Sequence, residues 1–334
     1  MRKIFIYILL IILLVFFIPF AFTVKFMTVE SVSESVPQIE INEIDKVPYN
    51  YKDYATIKLL NSKTNETSEI NLDEYLLGVV SAEMPANYEI EALKAQAVVA
   101  RTYTLYTITH NCEKHGQSNI CTSSSCCQAW ISKEDRMARW SENEREQNWK
   151  KIEEAVYSTK GKVIEYNGQV IDAFFHSNSG GKTEIPVNVW GGTDFPYLKV
   201  VETSGEDSYS QYSSEVQFSK NDFIQKIKNK YSDFSIDFNK DDSIKILEYT
   251  DSGRIKTIKI GNKNLSGVEA RSLFGLKSAN FECKIENENI KFSVVGYGHG
   301  VGMSQTGADS MAKSGAKYDE IINHFYADVQ IVDI

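Results

Sequence analysis

One feature near the start of this chain constrains everything after it. Residues 4–24 contain no charged side chain, Arg2 and Lys3 precede the run, and Lys25 closes it. As a helix rising about 1.5 Å per residue, the run reaches about 31 Å, enough to cross a bilayer core. A cleaved signal peptide fits less well, because the run is long and no small-x-small cleavage site follows it. The first cysteine is Cys112, so no lipidation site follows the run either. The expectation is one uncleaved transmembrane helix behind a cytoplasmic tip of residues 1–3, with the rest of the chain outside the cell membrane. No other segment is long and apolar enough to span.

Residues 25–54 are polar and acidic, with Glu30, Glu34, Glu40, Glu43 and Asp45 among them and Pro37 and Pro48 breaking regular structure. This reads as an extracytoplasmic stalk. Residues 55–334 suffice for one large or two ordinary domains. With 42% hydrophobic and 24% charged residues, wholesale disorder is excluded. The 36 basic residues are outnumbered by 45 acidic ones, giving −9, which argues against a general nucleic-acid binder.

Within the ectodomain, residues 55–72 alternate around 61–67 and predict a hairpin. Leu76, Leu77, Val79 and Val80 predict a short helix over 73–83 with Asp73 as its N-cap. Residues 91–108, rich in Ala, Leu and Val, carry the clearest helix pattern. Residues 134–157 predict one exposed charged helix stopped by Gly161. Asn167-Gly168 marks a tight hairpin turn, and 251–253 a second one. Short helices are expected at 221–231, 267–276, 305–313 and 318–326. Helices and antiparallel hairpins mix without βαβ alternation, so the fold class is α+β in a compact ectodomain, with one lobe or two.

Several segments have the residue types that chemistry needs. Ser81-Ala82-Glu83-Met84-Pro85 sets one carboxylate at the end of an apolar helix. Pro85 forces Met84 out of helical geometry. Apolar surroundings raise a carboxyl pKa, which suits a general acid; a solvated helix-end Glu is the plainer alternative. Arg101 lies in an otherwise apolar stretch, so it either snorkels to solvent or meets an anion, with Glu83 or a substrate as candidates. His115, Cys121, Cys126 and Cys127, with Cys112 just before them, form a dense thiol and imidazole cluster. Their spacing leaves disulfides and a closed structural zinc site both open.

The segment from His176 to Glu184 has no nucleophile-elbow spacing, so a polar loop hydrogen-bonding a sugar suits it better than a serine hydrolase. Ser177 and Ser179 are its candidate substrate contacts. Tyr197 and Lys199, two apart on an extended segment, are expected to face the same way. The glycine-rich stretch from Gly296 to Gln305 lacks the ending of a phosphate loop and suits close backbone approach to a substrate, with His299 and Gln305 as contacts, or tight core packing.

In combination these motifs resemble the SpoIID/LytB family. The pieces are Glu74-Tyr75-Leu76 to Pro85; Glu91 to Arg101-Thr102-Tyr103; Phe175-His176-Ser177 to Glu184; Ser266 to Gly275; and His299-Gly300-Val301-Gly302-Met303-Ser304-Gln305. They appear in the family's order across 55–330. The resemblance implies a lytic transglycosylase that cuts peptide-free peptidoglycan strands during engulfment, working with stage II sporulation proteins P and M at the membrane. It implies Glu83 as acid/base, Arg101 as a second catalytic residue, and Tyr197 and Lys199 as the family's Tyr-x-Lys pair. The clostridial members imply zinc held within the 110–130 loop by His115, Cys121 and Cys127. Their usual His before the last Cys is replaced here by Cys126, leaving Cys126 or Cys112 to complete the set. A single acid suits the reaction, because the sugar's own 6-hydroxyl replaces the water and second carboxylate of a hydrolase. Two rivals remain: a non-catalytic activator of an amidase, and a hydrolase using Asp194 as its second carboxylate.

Overall fold

The computed structural model describes residues 50–110 and 115–334. The expected tip and transmembrane helix, most of the stalk, and Cys112 lie outside the described residues. Among the described residues no helix is long and apolar enough to cross a membrane.

The first hairpin pairs Thr56–Leu60 with Thr67–Asn71, and Ile120–Cys121 joins its other edge in parallel. Helix α1, Leu72–Glu83, follows at once. Its N-cap is Asn71, not the expected Asp73: the Asn71 side chain accepts from the amides of Asp73 and Glu74. Asp73, two residues on and still in the first turn, is spent on Tyr51 and Lys160 instead. Met84 is extended at φ −120°, as a residue before proline must be, so α1 stops with Glu83 as its last residue.

Helix α2, Ile90–Thr109, is buried on nearly every side, with Leu93, Val98, Val99 and Leu105 all fully covered. A helix without a polar face is the centre of a core. Around α2 pack α1, the helices Arg145–Ser158, Gln305–Lys313 and Tyr318–Phe325, and the sheet made by Lys162–Tyr166, Gln169–Val170 and Gln330–Asp333. Asn167 and Gly168, at φ 51° and 76°, make the tight turn predicted for that hairpin.

The predicted helix over 134–157 is two helices, Lys133–Arg139 and Arg145–Ser158. Trp140 is extended, Ser141 starts a turn, and its carbonyl takes the amides of Glu144 and Arg145. The break is the extended backbone of Trp140, at ψ 152°, which hydrophobic spacing does not show.

A second core gathers residues of 213–295. The antiparallel sheet Phe281–Glu286, Asn289–Val295 and Ser213–Ser219 packs with the sheet Ile244–Tyr249, Ile255–Ile260 and Lys263–Ser266, and with helices Lys220–Lys228 and Gly267–Phe274. Phe223 and Phe274 stack with ring centroids 5.0 Å apart, and Phe292 closes on Phe274 at 4.8 Å. The fold is therefore α+β with two large apolar centres and a small third one at Leu105, Val163 and Val170. The free thiol of Cys283 belongs to the second, and burial pushes it up to about 12.

Candidate active site

Between the two cores runs a cleft of about 670 Å³. Glu83 reaches it because three local features agree. Pro85 ends α1 on that residue. Gly78, one turn earlier, lets Trp130 approach so closely that a β-carbon there would lie 2.3 Å from the indole nitrogen. That approach brings the 128–131 segment alongside α1, and the amide of Ala129 donates to Glu83 Oε1 at 2.6 Å. The Gln305 side chain is its other hydrogen-bonding neighbour. Burial outweighs both donors, so the Glu83 carboxyl is raised above its ordinary range.

Opposite stand Phe175, His176 and Ser177, held by the glycine-rich segment. Gly302, at φ 71°, packs so tightly that a β-carbon would sit 1.9 Å from the Phe174 carbonyl. Met303 and Ser304 then pair in parallel with Phe175 and His176. Of the two meanings open for these glycines, Gly302 serves packing, and that packing delivers His299 and Gln305 to the cleft.

The two imidazoles are fixed by backbone. His176 Nδ1 lies 3.1 Å from the Val301 carbonyl, and His299 Nδ1 accepts from the Val301 amide at 3.0 Å. Hence His176 carries its proton on Nδ1, and its buried Nε2 has no hydrogen-bond partner in the protein. Burial, reinforced by Arg254, pushes His176 down to about 4. Burial and His176 push His299 well below its usual value. Both are neutral near pH 7.

A second depression adjoins the cleft and shares Glu83, Ser177, Tyr297 and Gln305 with it. Glu83 thus lies where two hollows meet. One carries Tyr103 and Trp190, the other Tyr88 and Trp140. Trp190 is 51% exposed and Tyr297 39%, leaving flat apolar faces open on the surface. Among the described residues Glu83 is the sole carboxylate lining the cleft, and the second depression adds Glu144, which accepts from the Ser141 hydroxyl. Asp194 lines neither; it accepts from the adjacent Phe195 amide.

The ligand atoms of His115, Cys121, Cys126 and Cys127 all lie within 4.8 Å of one another. His115 Nε2 is 3.1 Å from Cys127 Sγ and 3.3 Å from Cys126 Sγ, and the Cys121 and Cys127 sulfurs are 3.5 Å apart. These are separate thiols: a disulfide needs about 2.05 Å. A tetrahedral zinc with bonds of about 2.0–2.3 Å spaces its ligand atoms by about 3.3–3.8 Å. The donor set fits that size, and its mixture of thiol and imidazole is the chemistry zinc prefers. Gln128 follows directly and is locked in the core, donating to Thr104 Oγ1 at 3.0 Å. The next amide is the Ala129 donor to Glu83.

Stage II sporulation protein D of Bacillus subtilis (strain 168) is 35% identical to this chain over 278 residues, 83% of this chain and 79% of that protein. The chain belongs to the stage II sporulation protein D family. The corresponding protein of Bacillus amyloliquefaciens is 33% identical over 83% of this chain and 78% of its own length. The family described as "Stage II sporulation protein" matches residues 60–166. A Bacillus subtilis protein named "Amidase enhancer" is 29% identical over 75% of this chain and 39% of its own length.

The structure brings Glu83, Ser177, His299 and Gln305 of this family member together, and places Arg101, Ser179, Tyr197 and Lys199 outside the cleft lining. Arg101 is fully buried in the first core, away from the cleft. Its Nη1 donates to the carbonyls of Thr159 at 2.8 Å and Lys162 at 3.2 Å, and its Nη2 to Val156 at 3.2 Å. The Val156 and Thr159 carbonyls close the C-terminal end of Arg145–Ser158, where a cation is favoured, and the Lys162 carbonyl opens the strand that follows. Its anionic neighbour is Asp73, not Glu83. Tyr197 is buried, and its hydroxyl accepts from the Asp172 amide at 3.1 Å. Lys199 is exposed and pairs with Asp328 at 3.1 Å. A turn at 196–197 breaks the alternation that was to aim Tyr197 and Lys199 the same way. Ser179 is buried and donates to Glu206 rather than facing the cleft.

Tyr103, Trp190, Arg271 and Tyr297 line the cleft and were not anticipated, and His176, from the segment expected to meet a sugar, lines it too. Two signals were available. Trp190 and Tyr297 are aromatic residues beside glycines. Tyr103 is two residues beyond Arg101, about 200° around the helix, so a core Arg101 implies an outward Tyr103.

Proposed function

We propose that this protein is a lytic transglycosylase that cuts peptidoglycan glycan strands between N-acetylmuramic acid and N-acetylglucosamine. The observation that carries the reading is Glu83, a raised carboxyl at the junction of two aromatic-walled hollows. A chain-cleaving enzyme needs sugar subsites on both sides of its acid, and flat sugar faces stack on exposed aromatic rings.

Protonated Glu83 gives its proton to the glycosidic oxygen as the C1–O4 bond breaks. The 6-hydroxyl of the muramyl sugar forms the new C1–O6 bond and returns its proton to Glu83. Bonds and protons balance, no water is consumed, and the product end is 1,6-anhydromuramic acid. The Ala129 amide holds the carboxylate formed midway.

Membership of a sporulation family supports action in engulfment on peptide-free strands, beside stage II sporulation proteins P and M. Residues 4–24 would anchor the protein in the cell membrane with the cleft outside. Zinc held by His115, Cys121, Cys126 and Cys127 would supply structure alone: four protein ligands leave no position for water, and the loop it closes aims the Ala129 amide.

Mass spectrometry of products from peptide-free strands tests the activity. Anhydro ends from the wild type, absent with Glu83→Gln, are expected; an active Glu83→Gln protein sinks the assignment. The likeness to an amidase enhancer supports a second reading, in which the cleft binds glycan and stimulates an amidase without cutting. Binding without products from wild type would favour it.

A further inference from the structure

Arg271 projects into the cleft from helix Gly267–Phe274, on the side of the second core. Its guanidinium is half-buried, yet among the described residues it forms no ion pair and no side-chain hydrogen bond to protein. Withdrawing a guanidinium from water without an anion is costly. Arg254, the fully buried cation nearby, is held through both of its terminal nitrogens. Arg254 donates to Ser179 O at 2.7 Å and Lys182 O at 2.9 Å.

The acids around Arg271 are already engaged. Glu184 accepts from Ile185, Asn188, Thr250 and Ser252. Glu206 is enclosed by serine and threonine donors. Glu83 is held by Ala129 across the cleft. The two imidazoles beside Arg271 are neutral, so among the described residues lining the cleft Arg271 is the one cation. Beyond it lies the ring of Tyr297, with Lys277 Nζ 4.1 Å from its centroid on the far edge of the wall.

We infer that Arg271 is a specificity residue, placed to take a carboxylate carried by the sugar chain. This rests on the glycan reading of the cleft given above. N-acetylmuramic acid carries one such group, its 3-O-lactyl carboxylate. While a stem peptide is attached, that carbon is a neutral amide; once the peptide is removed, it is an anion. A planar guanidinium meets a carboxylate through two parallel hydrogen bonds, and an amide offers only one acceptor. Arg271 therefore selects peptide-free over peptide-bearing strands by charge rather than by steric exclusion.

The test is binding, kept apart from turnover by a Glu83→Gln background in the full chain held in mild detergent. The probes are a tetrasaccharide of alternating N-acetylglucosamine and N-acetylmuramic acid with free lactyl carboxylates, and the same sugar with those carboxylates converted to methylamides. Titration calorimetry is expected to show the acid form binding about ten-fold or more tightly. With Arg271→Gln the preference disappears while affinity for the methylamide form stays within about two-fold, and Arg271→Lys keeps part of the preference. Equal affinity for the two forms when Arg271 is intact overturns the assignment and leaves the glycan reading standing. No binding of either form overturns both. The comparison of probes on Arg271-intact protein needs no substitution at that site, so a misfolded variant does not decide it.

Discussion

Glu83 and Glu206 are both carboxylates withdrawn from bulk water, and the fold moves their protons in opposite directions. Glu206 is about 1% exposed, the more deeply buried of the two. It nevertheless accepts from the amides of Ser179 and Gly181 and the hydroxyls of Ser179, Thr203, Ser304 and Thr306. Burial opposes its charge, but those donors win, and Glu206 is pushed down to about 2. Glu83 has one backbone amide and one glutamine, and burial wins. The number of preorganised donors, not depth, decides which carboxyl keeps a proton. One is a permanent anion that ties the 176–184 segment to 304–306 and helps hold Arg254; the other is an acid.

The largest effect expected from breaking this contrast is at Glu83. Glu83→Gln keeps shape and removes the transferable proton, so strand cleavage should fall by about 10²- to 10⁴-fold, measured as initial rate of anhydro-end formation. Next comes Arg101. Arg101→Ala removes the guanidinium from three carbonyls, opens a cavity in the first core and takes away a charge that Asp73 offsets, costing about 3–5 kcal/mol in denaturant unfolding. If Arg101→Ala instead leaves stability unchanged and abolishes cleavage, its placement in the core is refuted.

Glu206→Gln turns an amide nitrogen toward a cradle of donors and should cost about 2–3 kcal/mol, read the same way. Its pH dependence sharpens the comparison. Because folding lowers the Glu206 pKa, its stabilisation is present above the unfolded value near pH 4.5 and is lost as pH falls toward 2. Folding raises the Glu83 pKa, so that residue favours the folded state at low pH and loses this contribution as pH rises from about 4.5 through the raised value. Glu83→Gln should therefore be more stable than wild type at neutral pH, with the gap closing in acid, whereas Glu206→Gln should approach wild type only in strong acid. The smallest effect is at the rim. Trp190→Ala should weaken binding of a glycan tetramer by about 1 kcal/mol or slightly more with the folded structure intact, by calorimetry.

Much of this was legible in local pattern. Asn167-Gly168 fixed its turn because both residues tolerate positive φ, and Pro85 fixed where α1 ends. The helix Gln305–Lys313 falls at its expected limits. Glu83 stood out as a lone carboxylate in an apolar stretch. Its environment did not: that required knowing that Gly78 admits Trp130 and so brings the Ala129 amide within reach, a contact across 46 positions. Arg101 shows the same limit from the other side. A lone charge in an apolar helix announces a partner but not its identity, and carbonyls at another helix's end serve as well as a carboxylate. The Glu206 cradle joins residues up to 100 positions apart and left no local trace.

The most direct test of the single-acid chemistry is the fate of water. Peptide-free strands cut by the full chain in water enriched with heavy oxygen should yield anhydro ends carrying no solvent oxygen. Reducing ends bearing the heavy isotope would show that water is the nucleophile, and would contradict transfer to the sugar's own hydroxyl through Glu83.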